Sequence, residues 1–321
     1  MVQLFPAIEP YAHGLLDVGH GHRVYWETSG NPRGQAALCV HGGPGNGGHR
    51  ESRRLFDPRL YRIVLFDQRG CGHSQPHASD PATSMAHNTT EYLIADMERL
   101  REHLGVQRWL LYGRSWGSTL ILAYAQRYPE RVSGIVIAGV TMTRPEEIDW
   151  LYRGVARFLP GAWEAFRDAL PRAERDGDLV AGYDRMLNSP DEQARTKAAR
   201  HWCAWEDAVI AHEPRRHPAP YSEQPNAAML AFARICAHYF IHHAWLDDRQ
   251  LLRDAHRLTG IAGVLIHGRL DLASPLATAW ELAAAWPQAR LQVIEDAGHI
   301  GSPAMLTGIV EAIAAFAERG D

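Results

Sequence analysis

At 321 residues, 46% hydrophobic and 22% charged, the chain is long enough to bury a large core as one elaborated domain or as a domain with an insertion. A net charge of −4 with acidic and basic residues interspersed excludes a basic nucleic-acid surface or a polybasic tract for anionic membranes, and no apolar stretch reaches the length of a membrane span. The four cysteines, Cys39, Cys71, Cys203 and Cys236, show no paired or C-x-x-C spacing, so a reduced, cytoplasmic setting is expected, and the opening residues lack the basic start and apolar run of a signal peptide.

In chain order, residues 23–28 alternate like an antiparallel strand. Residues 37–40, 62–66, 109–112 and 135–138 are short apolar runs of the kind found in strands buried on both faces. Between them, residues 91–104 place Leu93, Ile94, Met97, Leu100 and Leu104 along one helical stripe closed by Gly105. This alternation predicts an α/β chain with a mostly parallel, doubly wound sheet and helices on both faces. From about residue 141 to 250 strand signals vanish. Helical patterns carrying Trp150, Trp163, Trp202, Trp205 and Trp245 take over, broken at Pro160, Pro171, Pro190 and the proline-rich loop 213–225. Residues 263–268 and 291–294 then read as strands again. The expected organisation is a core of residues 1–140 and 251–321, split by an all-helical cap domain of residues 141–250 that shapes a pocket over the core. The cap's aromatic residues are expected mainly to pack.

Gly113-Arg114-Ser115-Trp116-Gly117 reads G-x-S-x-G between an apolar strand run and a helix-like segment, the setting in which this pattern holds a serine on a strained turn. His41-Gly42-Gly43-Pro44-Gly45 follows the strand at 37–40, where a loop would supply one backbone N–H of an oxyanion hole; Gly43 and Trp116 are the expected donors. Asp271 follows the strand 263–268, and His299 follows the strand 291–294. Ser, Asp, His in that order, each beyond a strand end, is the triad order of the α/β-hydrolase fold. Asp296 competes for the acid's role but lies too near His299 in sequence. The expected chemistry is acyl transfer to water through an acyl-Ser115 intermediate, with His299 as general acid and base and Asp271 orienting its ring. No metal or organic cofactor is called for. His238 and His242 would share a helix face, but no H-E-x-x-H or carboxylate cluster accompanies them; His20, His22, His212 and His217 read as solvated loop positions.

These segments, with Asp67-Gln68-Arg69-Gly70-Cys71-Gly72-His73-Ser74, His267-Gly268-Arg269-Leu270-Asp271, Trp202-Cys203-Ala204-Trp205-Glu206 and Ala233-Arg234-Ile235-Cys236-Ala237-His238-Tyr239-Phe240, resemble the proline iminopeptidase (prolyl aminopeptidase) family of serine peptidases across nearly the whole chain. The resemblance implies release of N-terminal proline from short peptides or amides. It also implies that Glu206 holds the substrate's amino group, with Trp205 and Cys236 as further substrate-binding positions. Three departures stand out. Cys236 replaces the second glutamate usual after Ala-Arg-Ile, Arg114 replaces the commoner glycine before the serine, and residues 138–143 lack the family's Arg-Gly segment. Losing one charged hydrogen bond at position 236 would cost about 1.5–3 kcal/mol. An esterase or amidase of the same fold is therefore the alternative, and a non-catalytic binding protein on a hydrolase scaffold the minor one. Oligomeric state is not legible in the sequence.

Overall fold

The apolar runs assemble side by side because each can be covered on both faces. The computed structural model describes residues 4–48, 50–211 and 220–317. Among these, eight strands form one sheet in the order β1-β2-β4-β3-β5-β6-β7-β8. β1 (Ala12–Gly19), β2 (His22–Gly30) and β4 (Tyr61–Phe66) pair antiparallel. β3 (Gln35–Val40), β5 (Trp109–Ser115), β6 (Val132–Val140), β7 (Gly263–Gly268) and β8 (Ala289–Ile294) continue the sheet in parallel. The mostly parallel α/β sheet matches the expectation. β1 is the strand that sequence reading passed over. Its outward positions are His13, Leu15 and Asp17, and Leu15, 40% exposed, interrupts the polar-apolar alternation that would have marked it. His212, His217, Pro214 and Pro218, and with them most of the loop 213–225, lie outside the described residues.

Period-two alternation divides the strand side chains between two cores. Leu38 and Val40 of β3, Leu111 of β5 and Ile135 and Ile137 of β6 pack in one cluster, with residues of α1 (Thr90–His103), α2 (Trp116–Arg127) and α9 (Leu276–Ala285). Ala37 and Cys39, Leu110 and Tyr112, and Val136 and Ala138 point the other way, into a cluster with Ile309, Ile313 and Phe316 of α10 (Pro303–Ala317).

Between β6 and β7 run α3 (Pro145–Tyr152), α4 (Pro160–Asp168), α5 (Leu179–Leu187), α6 (Glu192–Ile210), α7 (Asn226–Ile241) and the short α8 (Gln250–Arg253). Asp178 and Asp191 cap α5 and α6 by accepting from Ala181 and Gln193 backbone N–H groups. These helices pack through aromatic rings. Phe166 stacks on Tyr183 at 4.3 Å and on Trp205 at 5.6 Å, and Tyr152 lies 4.8 Å from Trp202. Each fully buried ring contributes about 2–3 kcal/mol. The helical segment is fastened to the sheet domain by Arg234 of α7, whose buried guanidinium donates to the Ala78, Asp80 and Thr83 carbonyls and to Asn188 Oδ1. Trp150 Nε1 adds a bond to the Leu272 carbonyl at 2.8 Å.

Candidate active site

Ser115 ends β5 and opens α2 with φ +53° and ψ −129°, a conformation that a non-glycine residue holds only under constraint. The flanking glycines explain how the turn fits. A Cβ on Gly117 would lie 2.3 Å from the Val40 carbonyl oxygen, and one on Gly113 would lie 2.7 Å from Ile121 Cδ1 and 3.0 Å from the same oxygen. The end of β3 therefore passes against the elbow at a distance open only to glycine. Gly43, just beyond β3, and Trp116, just after the serine, line the same cleft as Ser115.

β7 and β8 bring the other two groups to this end of the sheet. His299 Nδ1 lies 2.9 Å from Asp271 Oδ2, while Asp271 Oδ1 accepts from the Ser274 N–H at 2.8 Å. Burial would push the Asp271 carboxyl up. The His299 ring, the His267 ring and the Ser274 N–H outweigh it, and the pKa lies below the ordinary carboxylate value. His267, fully buried, accepts from the Val140 N–H through Nδ1 at 3.0 Å, so its Nε2 carries the proton and donates to the Ser274 carbonyl at 2.8 Å. Burial lowers its pKa, and it stays a neutral brace for the turn 271–274. Asp296, the competing acid, is exposed and accepts from Ser302 Oγ. Arg114 acts on the histidine's own loop. Its Nη2 donates to the His299 carbonyl at 3.0 Å and the Ile300 carbonyl at 2.6 Å.

Ser115, His299, Gly43, Trp116 and Glu206 share a cleft whose apolar wall includes Ile148, Leu151, Ile210 and Phe240. Glu206 accepts a hydrogen bond from Tyr152 Oη at 2.5 Å. Burial raises its pKa to about 7 despite that bond. Cys236 and Trp205 do not line this cleft. Cys236 is buried and donates its thiol to the Pro44 carbonyl at 3.2 Å, and desolvation pushes its pKa well above the usual thiol range. Trp205 is turned into the aromatic packing and donates to the Leu151 carbonyl.

Sequence reasoning missed Tyr152, which braces Glu206, and Tyr221 and Glu147, which line the cleft, because nothing in their spacing points at Ser115. Glu147 lines the cleft but is saturated. It accepts from the Met142 N–H, Thr141 Oγ1, Arg144 Nε and Thr278 Oγ1, and its charge is matched by Arg144. His238 and His242, four apart, bond to backbone carbonyls of Asn88 and His238, and among the described residues no three His, Cys, Asp or Glu side chains are grouped to hold a metal ion.

Residues 38–303 match the family model of the alpha/beta hydrolase fold. A probable proline iminopeptidase of Streptomyces coelicolor is 48% identical over 93% of this chain and 93% of its own length. A proline iminopeptidase of Xylella fastidiosa is 46% identical over 93% of this chain and 94% of its own. Among solved structures, a bromoperoxidase from Bacillus anthracis superposes with a TM-score of 0.63 at 17% identity, covering 96% of this chain and 100% of that one, a likeness of fold alone.

Proposed function

The chain belongs to the proline iminopeptidase family of α/β-hydrolases, and from that premise we propose that it releases N-terminal proline from short peptides and amides as a serine aminopeptidase. Ser115 Oγ attacks the prolyl carbonyl while His299 takes its proton. Asp271 holds the ring in the required tautomer and stabilises the imidazolium. The backbone N–H groups of Gly43 and Trp116 receive the developing oxyanion. Collapse expels the amine, protonated by His299, and water repeats the sequence on the acyl-Ser115 ester. Helices α3 to α7 serve as the cap, whose apolar wall takes the pyrrolidine ring. Four unpaired cysteines support a cytoplasmic setting.

One observation carries the substrate assignment: a carboxylate, Glu206, stands in the same cleft as Ser115 and His299, braced by Tyr152. A prolyl ammonium leaving water needs such a counter-charge, and a neutral or blocked amine does not. Cys236, bonded to Pro44, leaves Glu206 without the partner carboxylate usual in this family, and this favours a second reading in which esters or blocked amides are also accepted. The test is kcat/KM for prolyl, alanyl and N-acetyl-prolyl p-nitroanilides beside a p-nitrophenyl ester, with Ser115→Ala as control. A strong preference for the free prolyl amide supports the aminopeptidase. Turnover of only the ester or blocked amide refutes it and supports the second reading.

A further inference from the structure

Gln68, the second residue past the end of β4 in the segment Asp67-Gln68-Arg69-Gly70, sits 2% exposed between the two backbone segments proposed to form the oxyanion hole. Its Nε2 donates to the His41 carbonyl at 2.9 Å, and its Oε1 accepts from Trp116 Nε1 at 2.9 Å. The orientation of the amide follows from its partners, since an indole N–H can only donate and a carbonyl can only accept. The Gln68 backbone N–H donates to His41 Nε2 at 2.9 Å, which leaves the His41 proton on Nδ1, facing the Gly42 carbonyl at 2.9 Å. Three bonds thus tie one residue to the loop that carries Gly43 and to the side chain of Trp116. Trp116, 1% exposed, is pinned on another side by the Tyr239 ring at 4.8 Å.

We infer that Gln68 is a positioning residue that sets the spacing between the Gly43 and Trp116 N–H donors; the inference rests on the acyl-transfer reading above. An oxyanion hole works only when both donors lie about 2.7–3.1 Å from the oxygen of the tetrahedral intermediate, and a donor displaced by about 1 Å loses up to two decades of rate. Among the described residues no other side-chain bond of Gln68 competes for the amide, and neither ionised glutamate nor methionine reproduces it. A glutamate would turn an oxygen toward the His41 carbonyl unless it is protonated. A methionine fills the space with no polar group.

The test compares wild type with Gln68→Met and Gln68→Glu on the prolyl anilide and on the p-nitrophenyl ester, because the oxyanion hole serves any acyl transfer. The expected result is a kcat lower by about 10–100-fold on every substrate wild type accepts, with KM within about threefold. Gln68→Glu should recover toward wild type as pH falls, read as the ratio of the two kcat values at each pH, because protonated glutamic acid regains the donor to His41. If Gln68→Met does not fold, that ratio decides alone. A loss confined to KM, a kcat within threefold of wild type, or a pH-independent Glu ratio overturns the inference. A wild type that turns over only the ester refutes the prolyl substrate and leaves this test intact.

Discussion

Replacing Glu206 by glutamine tests the substrate assignment at its most exposed point. The change keeps the shape and an acceptor for the Tyr152 hydroxyl, which now stands at 2.5 Å, and removes the charge. A charge-assisted hydrogen bond is worth about 1.5–3 kcal/mol where a neutral one is worth about 1. The difference of about 0.5–2 kcal/mol, at about 1.4 kcal/mol per decade, should lower kcat/KM for the free prolyl anilide about 2–30-fold, mostly through KM. A p-nitrophenyl ester without an amine should be hydrolysed within about twofold of wild type. The pH dependence sharpens the test. Burial raises the Glu206 pKa to about 7, so the carboxyl becomes neutral as pH falls through that value and the charge pair is lost on the acid side. An α-amino group of pKa about 8 loses its proton on the alkaline side. Productive pairing is therefore confined to a band near pH 7–8, and prolyl turnover should carry an acid-side loss beyond the one that protonation of the general base His299 imposes on ester and anilide alike, an excess that Glu206→Gln removes. Stopped or continuous anilide assays from pH 5.5 to 9 measure both. Equal losses on ester and prolyl anilide, or an anilide acid limb that still exceeds the ester's in Glu206→Gln, would refute the reasoning, because Glu206 would then be acting on the catalytic groups or not at all.

Other substitutions probe the framework. Gly117→Ala drives a methyl to within 2.3 Å of the Val40 carbonyl and should destabilise the fold by about 2–4 kcal/mol, lowering Tm by several degrees in a thermal melt and abolishing activity. Arg114→Ala removes the two bonds to the loop of His299 and, as the guanidinium is only part-buried, should lower kcat about 3–10-fold with KM unchanged; Arg114→Lys should restore part of it in the same assay. All four cysteines are buried, and desolvation pushes every one of their thiols up, so a disulfide reagent should label none in the native protein and four after denaturation.

Much of this molecule could be read from residue order. Apolar runs, the helical stripe of α1 and three loop motifs each follow from local rules: strands buried on two faces must be apolar throughout, and a strained elbow needs glycines at its sides. Even the sequence distance of 28 residues between Asp271 and His299 was bridged, because both follow strands that pair in parallel and so end at one edge. What local rules cannot express is the direction of a side chain from a helix whose neighbours are unknown. Trp205 and Glu206 are adjacent in α6, yet one enters the aromatic packing and the other the cleft. Cys236 was legible as a departure from a family pattern, but its bond to Pro44 depends on where α7 crosses the loop after β3. Tyr152 meeting Glu206, Arg114 meeting the loop of His299 and Gln68 meeting Trp116 are contacts across 54, 185 and 48 positions of chain. Periodicity carries information over a turn of helix or a pair of strand residues, whereas these bonds exist only after the sheet and the helices above it have packed, and so the tertiary structure alone decided them.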